Sequence, residues 1–299
     1  MRRLRAGRVV LVVAALAVAG CSRDETPGAV RPAHPAIEHR TIDMGGAVRE
    51  YRLFTPAAPD GDLPLVVALH GGGNRAQSLV EATQLDAAAT ANGFLVAYPE
   101  AAQVWNGGFC CTGGRGDAAD DVRFLDRVIM DVAANRGVDP RRVYAVGVSA
   151  GGVMAYRLAC DLAPRLAGIG SVAGTMLLDD CHPARAVTVV EIHGTADGIV
   201  PFDGGSVISP RVATAAAPPV PAVVERWASL DQCPGPPTTT VNGSVTTTAW
   251  NGCDRATSVR LVAVGGGGHT WFATEFGLPD GAVDATDTFL AAFGLLRAG

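Results

Sequence analysis

The chain has 299 residues, 48% of them hydrophobic and 18% charged, with a mean hydropathy of +0.23. That much apolar material supports a large buried core and excludes a disordered chain, a disulfide mini-scaffold and a collagen-like fibre. A formal net charge of −5 and a pI near 5.7 leave no electrostatic footprint for nucleic acid, and without a 20-residue apolar run the chain is not a multi-span membrane protein.

Arg2, Arg3, Arg5 and Arg8 precede an apolar run over residues 9–19, too short to span a bilayer and of the length of an export-signal core. Val18-Ala19-Gly20-Cys21 closes it and resembles the lipobox of bacterial lipoproteins. Residues 1–21 are therefore expected to be a lipoprotein signal with Cys21 as the lipidated residue; an ordinary secretory signal with an incidental cysteine is the alternative. Residues 22–36, with Pro27, Gly28, Pro32 and Pro35, read as a flexible tether, and 37–299 as one domain.

From residue 37 the pattern is β-rich and then alternates β and α. Residues 48–54 alternate apolar and polar as a half-exposed strand does. Residues 65–69 are a continuous apolar run ending in His70-Gly71-Gly72-Gly73, the pattern of a parallel strand buried on both faces. Helices are expected over 76–92 and 118–136, the second with Val122, Leu125, Val128, Ile129 and Val132 on one side. A buried strand over 143–146 runs directly into Gly147-Val148-Ser149-Ala150-Gly151 and a helix to about residue 161. Strands at 169–172 and 187–192 follow, then a mobile surface loop over 204–219 and a helix near 221–230. A Thr-rich hairpin over 238–250, a strand near 258–264 and a helix over 284–297 complete the chain. This alternation predicts a single α/β domain, a mostly parallel central sheet with helices on both faces.

Export would place Cys110, Cys111, Cys160, Cys181, Cys233 and Cys253 in an oxidising space, where an even number favours disulfides over metal binding. Pairs Cys160–Cys181 and Cys233–Cys253 would each close a loop of about 20 residues, worth roughly 3 kcal/mol apiece. Adjacent Cys110 and Cys111 would then form a vicinal pair, unless all six are paired differently. No histidine or second cysteine pair stands at zinc-ligand spacing, so neither a metal nor another cofactor is expected.

The strand–Gly-x-Ser-x-Gly–helix arrangement is a nucleophile elbow. Its turn is so tight that flanking positions lack bulk, hence Gly147 and Gly151, and it lifts the Ser149 hydroxyl above the sheet. Capping the helix is the other use for a serine there. A serine nucleophile needs a base, and the base needs a third group to fix its tautomer. His34 and His39 lie in or beside the tether and His182 beside a Cys-Pro turn, while His70 and His193 are expected to hold their own loops. His269, in the loop after the last strand, is where the chain order serine–acid–histidine puts the base. Asp197, just past the strand at 187–192, is the expected orienting acid; Asp203 is the fallback, and Asp120 and Asp121 read as charges at a helix N-terminus. The backbone N–H groups of Ala150 and Gly72 are the expected oxyanion donors. Trp105 and Trp271 are candidates for an apolar substrate platform, with core burial the equal alternative.

Leu69-His70-Gly71-Gly72, Trp105-Asn106-Gly107-Gly108 with Cys110-Cys111, Asp120-Asp121-Val122, the Ser149 elbow with Gly152 and Met154, His193-Gly194-Thr195-Ala196-Asp197 and Gly266-Gly267-Gly268-His269-Thr270-Trp271 occur together in this chain. In that combination they resemble the secreted poly(3-hydroxybutyrate) depolymerase and feruloyl-esterase-like hydrolases, in particular LpqC-type lipoproteins, over about residues 40–295. The resemblance implies an α/β-hydrolase fold with Ser149, Asp197 and His269 as its triad. It also implies an extracellular, lipid-anchored serine esterase acting on oligo- or polyhydroxyalkanoate or short-chain esters. Feruloyl- or acetylxylan-type esters are the alternative substrates. A non-catalytic surface lipoprotein binding a ligand or host partner is the alternative of another class. Gly198, Phe202 and Phe272 stand where the family often has Pro, Tyr and Pro, departures that bear on substrate preference.

Overall fold

A computed structural model describes residues 35–57, 61–108, 120–208, 216–273 and 283–297. The expected leader, Cys21, the tether up to residue 34 and the Cys110–Cys111 pair lie outside the described residues.

The strands with continuous apolar runs form the middle of one ten-stranded sheet. β3 (Leu63–Leu69), β4 (Leu95–Pro99), β5 (Val138–Val148), β6 (Gly168–Val172), β7 (Thr188–Gly194) and β12 (Ser258–Val264) lie in the order β4-β3-β5-β6-β7-β12, all parallel. Antiparallel pairs flank this block. β1 (Ala36–Asp43) and β2 (Val48–Thr55) extend it beyond β4, while β11 (Val245–Asn251) and β10 (Thr238–Asn242) extend it beyond β12. The outermost strands carry the alternating or fully exposed patterns, as edges that meet water must.

Helices cover both faces, as expected for this α/β class. On one, α3 (Asp121–Asn135), α4 (Ala150–Asp161) and α5 (Val220–Leu230) pack Phe124, Leu125, Met154, Tyr156 and Trp227 against the inner strands. On the other, α1 (Ala76–Thr83), α2 (Leu85–Asn92) and α6 (Ala285–Ala292) enclose Leu79, Leu85, Phe94, Phe289 and Phe293.

Several expected boundaries move. The helix predicted over 76–92 is two helices, because Gln84 takes a left-handed conformation (φ +53°) and turns the chain between them. The last helix ends at Ala292 rather than near 297, since Phe293 and Gly294 form a turn and Gly294 has φ +63°. The loop over 204–219 contains a two-residue ladder between β8 (Gly205–Ser206) and β9 (Ala216–Ala217).

The disulfides Cys160–Cys181 and Cys233–Cys253 are both formed, with sequence separations of 21 and 20. They lie towards the starting ends of the parallel strands. Cys160 closes α4, Cys233 follows α5, and Cys253 precedes β12. Asp231, wholly buried beside them, accepts the Asp254 N–H on its carbonyl at 2.8 Å. Burial pushes its carboxyl up to about 7, against the Val187 N–H, which lowers it, and with Asp254, which raises it further.

Candidate active site

β5 ends at Val148 and α4 starts at Ala150, so Ser149 alone makes the turn. Its backbone sits at φ +56°, ψ −122°, a strained conformation for any residue but glycine. The neighbours enforce it. Ser149 N–H donates to the Val172 carbonyl at 2.8 Å, pinning the turn to the end of β6. A Cβ at Gly147 would lie 2.3 Å from the Gly151 carbonyl carbon, and one at Gly151 would lie 2.1 Å from the Leu69 oxygen, so both glycines are required by close approach. The Ser149 side chain makes no capping bond to α4, which removes the helix-cap alternative.

The first N–H of α4, that of Ala150, has no partner within its own helix. The glycine run after β3 lies against it: Cβ positions at Gly71 and Gly72 would be 3.6 Å from Ser149 Cβ and 3.7 Å from Ala150 Cβ. His70 holds this run in place, as expected. Its Nδ1 donates to the Gly71 carbonyl at 2.9 Å and its Nε2 accepts the Ala101 N–H at 3.1 Å. Burial lowers its pKa, in keeping with a neutral ring that has one donor and one acceptor.

Of the two alternatives for the tryptophans, the structure shows core burial. Trp105 is 0% exposed and donates its indole N–H to the His70 carbonyl at 2.9 Å; Trp271 is 4% exposed and meets Phe289 edge-on. Both are core residues: Trp105 stands just before Gly107 and Gly108, and Trp271 just after the 265–268 glycine run. Asp121 also exceeds the expected helix-end charge. It is buried, pairs with Arg49 at 2.8 Å and accepts the Asn106 N–H at 2.7 Å, tying α3 to the Trp105 loop. Asp120 is the cap of α3, accepting the Arg123 N–H at 2.9 Å.

Asp197 and His269 meet. His269 Nδ1 is 2.8 Å from Asp197 Oδ2, and Asp197 Oδ1 accepts the N–H groups of Ile199 and Val200 at 2.8 and 2.9 Å. The Asp197 side chain has no exposed surface, whereas that of His269 is 16% exposed and reaches the edge. Burial alone would raise the Asp197 carboxyl; hydrogen bonds from His193, His269 and the two backbone N–H groups outweigh it and hold the group well below the usual range. The two loops are also bonded to each other. Thr195 N–H reaches the Val264 carbonyl, Ala196 N–H the Gly267 carbonyl, and Gly266 N–H the Thr195 hydroxyl, each at 2.9 Å. Asp203, the fallback acid, is exposed in a separate turn.

Because β5, β6, β7 and β12 are parallel and adjacent, Ser149, Asp197 and His269 all emerge at their carboxyl edge, the usual place for a ligand in such sheets. The Asp197–His269 pair is hydrogen-bonded, and Ser149 stands at the same edge without a hydrogen bond to His269 in this structure. A cavity of about 620 Å³ lies between the segment after β6 and α5, lined by Met176, Leu177, Leu178, Ala217 and Val223 with the charged Asp179 and Arg226. Leu177 shares a buried cluster with Val153 of α4 and with Val200, three residues beyond Asp197.

Sequence reasoning missed one pair here. Glu191 and His193 are wholly buried in β7, at 2.9 Å from each other. The signal was present: a glutamate inside an otherwise apolar strand must have a partner, and the histidine two residues on points to the same face.

This arrangement of sheet, elbow and loops is that of the α/β-hydrolases. The acetyl xylan esterase from Aspergillus awamori superimposes with a TM-score of 0.61 over 87% of this chain and 100% of its own, at 16% identity. NocK of Nocardia uniformis subsp. tsuyamanensis, which carries an esterase name, is 33% identical over 289 residues, 89% of this chain and 83% of its own length. Feruloyl esterase B of Piromyces equi is 30% identical over 246 residues, 75% of this chain, which spans 44% of that enzyme's length. Residues 50–243 match the Esterase PHB depolymerase family, and the chain belongs to it. It is a carboxylic ester hydrolase.

Proposed function

We propose that the protein is a serine esterase working through Ser149, His269 and Asp197, exported and held at the outer face of a membrane by a lipid on Cys21. The observation that carries the catalytic reading is the 2.8 Å bond from Asp197 to His269 Nδ1 at the sheet edge that presents Ser149. With Nδ1 donating to Asp197, the neutral ring has Nε2 free to accept a proton, so His269 is oriented as a base. His269 takes the Ser149 proton as the hydroxyl oxygen attacks the ester carbonyl. The N–H groups of Ala150 and Gly72 receive the oxyanion, and the alcohol leaves with the proton. Water, deprotonated by the same imidazole, then releases the acid.

The cavity between the loop after β6 and α5, mainly apolar but carrying Asp179 and Arg226, supports an ester with an apolar acyl or hydroxyacyl part, short-chain or hydroxyalkanoate. Feruloyl and acetylxylan esters are the second reading, favoured by the relatives that carry those names. The two formed disulfides support an extracellular location. The lipobox-like 18–21 segment supports the anchor. Turnover of p-nitrophenyl butyrate by the purified protein, beside Ser149→Ala, tests the chemistry: the variant should lose at least four orders of magnitude in kcat. No turnover and no burst by the unaltered protein would favour a binding protein on a hydrolase scaffold. A panel of hydroxybutyrate oligomers, feruloyl esters and acetylated xylan separates the substrate readings.

A further inference from the structure

Behind Asp197, β7 carries a second carboxylate–imidazole pair that the reaction above leaves unused. Glu191 and His193 are two residues apart on one strand, so their side chains leave the same face, and both are 0% exposed. His193 Nδ1 lies 2.9 Å from Glu191 Oε1; its Nε2 lies 2.9 Å from the Val200 carbonyl and 3.4 Å from Asp197 Oδ2. A carbonyl only accepts, so Nε2 must carry a proton. One oxygen of Asp197 therefore faces two imidazole N–H groups, that of His269 at 2.8 Å and that of His193 at 3.4 Å. The Asp197–Val200 turn is closed from both sides, by Oδ1 accepting its N–H groups and by His193 holding its last carbonyl.

We propose that His193, kept as an imidazolium by Glu191, is a positioning residue for ester hydrolysis. It fixes the Asp197 turn behind His269. Its standing positive charge, set against the same carboxylate oxygen, also weakens the pull of Asp197 on a proton at His269. This rests on the assignment of Asp197 and His269 to catalysis.

The surroundings support a charged ring. Burial alone would strip its proton, but the hydrogen bonds to Asp197 and Glu191 and the charge of Glu191 outweigh that and raise it to about 10. The groups that face this chain come from five elements: Glu191 of β7, with the hydroxyls of Tyr156 in α4 and Ser171 in β6 beside it; Asp197 and the Phe202 ring from the loop after β7; and His269 from the loop after β12. Two carboxylates thus meet two imidazoles. With His193 charged, His269 can be neutral, and so accept the serine proton, at a lower pH than it could beside an uncompensated Asp197.

The test compares pH–rate profiles of kcat/KM on p-nitrophenyl butyrate for the unaltered protein, His193→Gln and Glu191→Gln, with melting curves to show folding and Ser149→Ala as control. His193→Gln removes the positive charge, so the acid limb should move up by about one unit, making the rate at pH 5.5 about tenfold lower relative to its plateau. Glu191→Gln leaves the ring on Val200 while its amide donates to Nδ1, which makes the ring neutral; the limb should move the same way, with the plateau held within about threefold. Folded variants that lose plateau rate with an unmoved acid limb would leave His193 a merely structural residue and overturn the proposal. The unaltered protein gives an independent reading. Labelled with 15N-histidine at pH 8.5, it should show one histidine with both ring nitrogens protonated, and finding every ring neutral would overturn the proposal even if neither variant folds. Full activity in Ser149→Ala would instead overturn the serine reading, an outcome the nitrogen spectrum does not touch.

Discussion

At the scale of single residues, the proposed mechanism depends on which nitrogen of His269 carries the proton. Asp197→Asn keeps the size of the side chain but can turn an amide N–H towards Nδ1. That would put the ring proton on Nε2, where it blocks acceptance from Ser149. The expected result is a fall in kcat of about three to four orders of magnitude with KM little changed, measured on p-nitrophenyl butyrate. The positions of Ser149, Asp197 and His269 were legible in the chain because each stands beside glycines at the end of an apolar run. Asp121 and Glu191 were not, because their partners, Arg49 and His193 with Asp197, are chosen by how strands lie side by side. The tryptophans stay open between two readings for a related reason: an aromatic next to a glycine turn looks the same in sequence whether it faces water or the core.

Among the elements, the turn between β5 and α4 is the one whose geometry the proposed chemistry cannot do without. Gly151→Ala would drive a methyl group to 2.1 Å from the Leu69 oxygen and 2.8 Å from that of His70, so α4 must shift away from the strand that leads into the Gly72 run. Overpacking of this kind costs about 1–3 kcal/mol or more, and the displacement also moves Ala150 relative to Gly72. The variant should therefore melt lower and lose more than about a hundredfold in kcat, the scale of losing one oxyanion donor; a folded variant of unchanged kcat would show that the contact is dispensable. Most elements were readable from period and apolar runs, including the central parallel strands and the Thr-rich hairpin. The split at Gln84 is not, because nothing local marks a left-handed glutamine, and β4, which follows the Asn92-Gly93 end of α2, is an apolar run of only five residues, too short to tell from a buried helical segment by pattern alone.

Across the whole molecule, covalent fastening and chemistry occupy opposite edges of the sheet. Cys233→Ser with Cys253→Ser removes a closure worth roughly 3 kcal/mol, so the melting temperature should fall by about 6–12 °C. The kcat at 25 °C should stay within about twofold, since the bridge lies at the far ends of the strands. Asp231, at the same edge, makes stability depend on pH in a defined sense. Its folded value, about 7, stands above its value of 3.8 in an unfolded chain. Its contribution is therefore fully present below pH 4 and is lost as the pH rises towards 7 and beyond, where ionisation favours the unfolded chain. Asp231→Asn should accordingly gain in melting temperature over the unaltered protein, with a gap that widens from pH 5 to pH 8; a constant gap would mean that the carboxyl ionises freely in place.

The backbone bonds that join the Thr195–Ala196 segment to the Val264–Gly267 segment make Asp197 and His269 parts of a single jaw. The elbow serine, hung from β6 instead, belongs to the other jaw. Breathing of the sheet between β6 and β7 would therefore open and shut the gap across which the proton travels, without ever parting Asp197 from His269. A bulky or rigid acyl group would be judged at that seam, by whether it lets the jaws close.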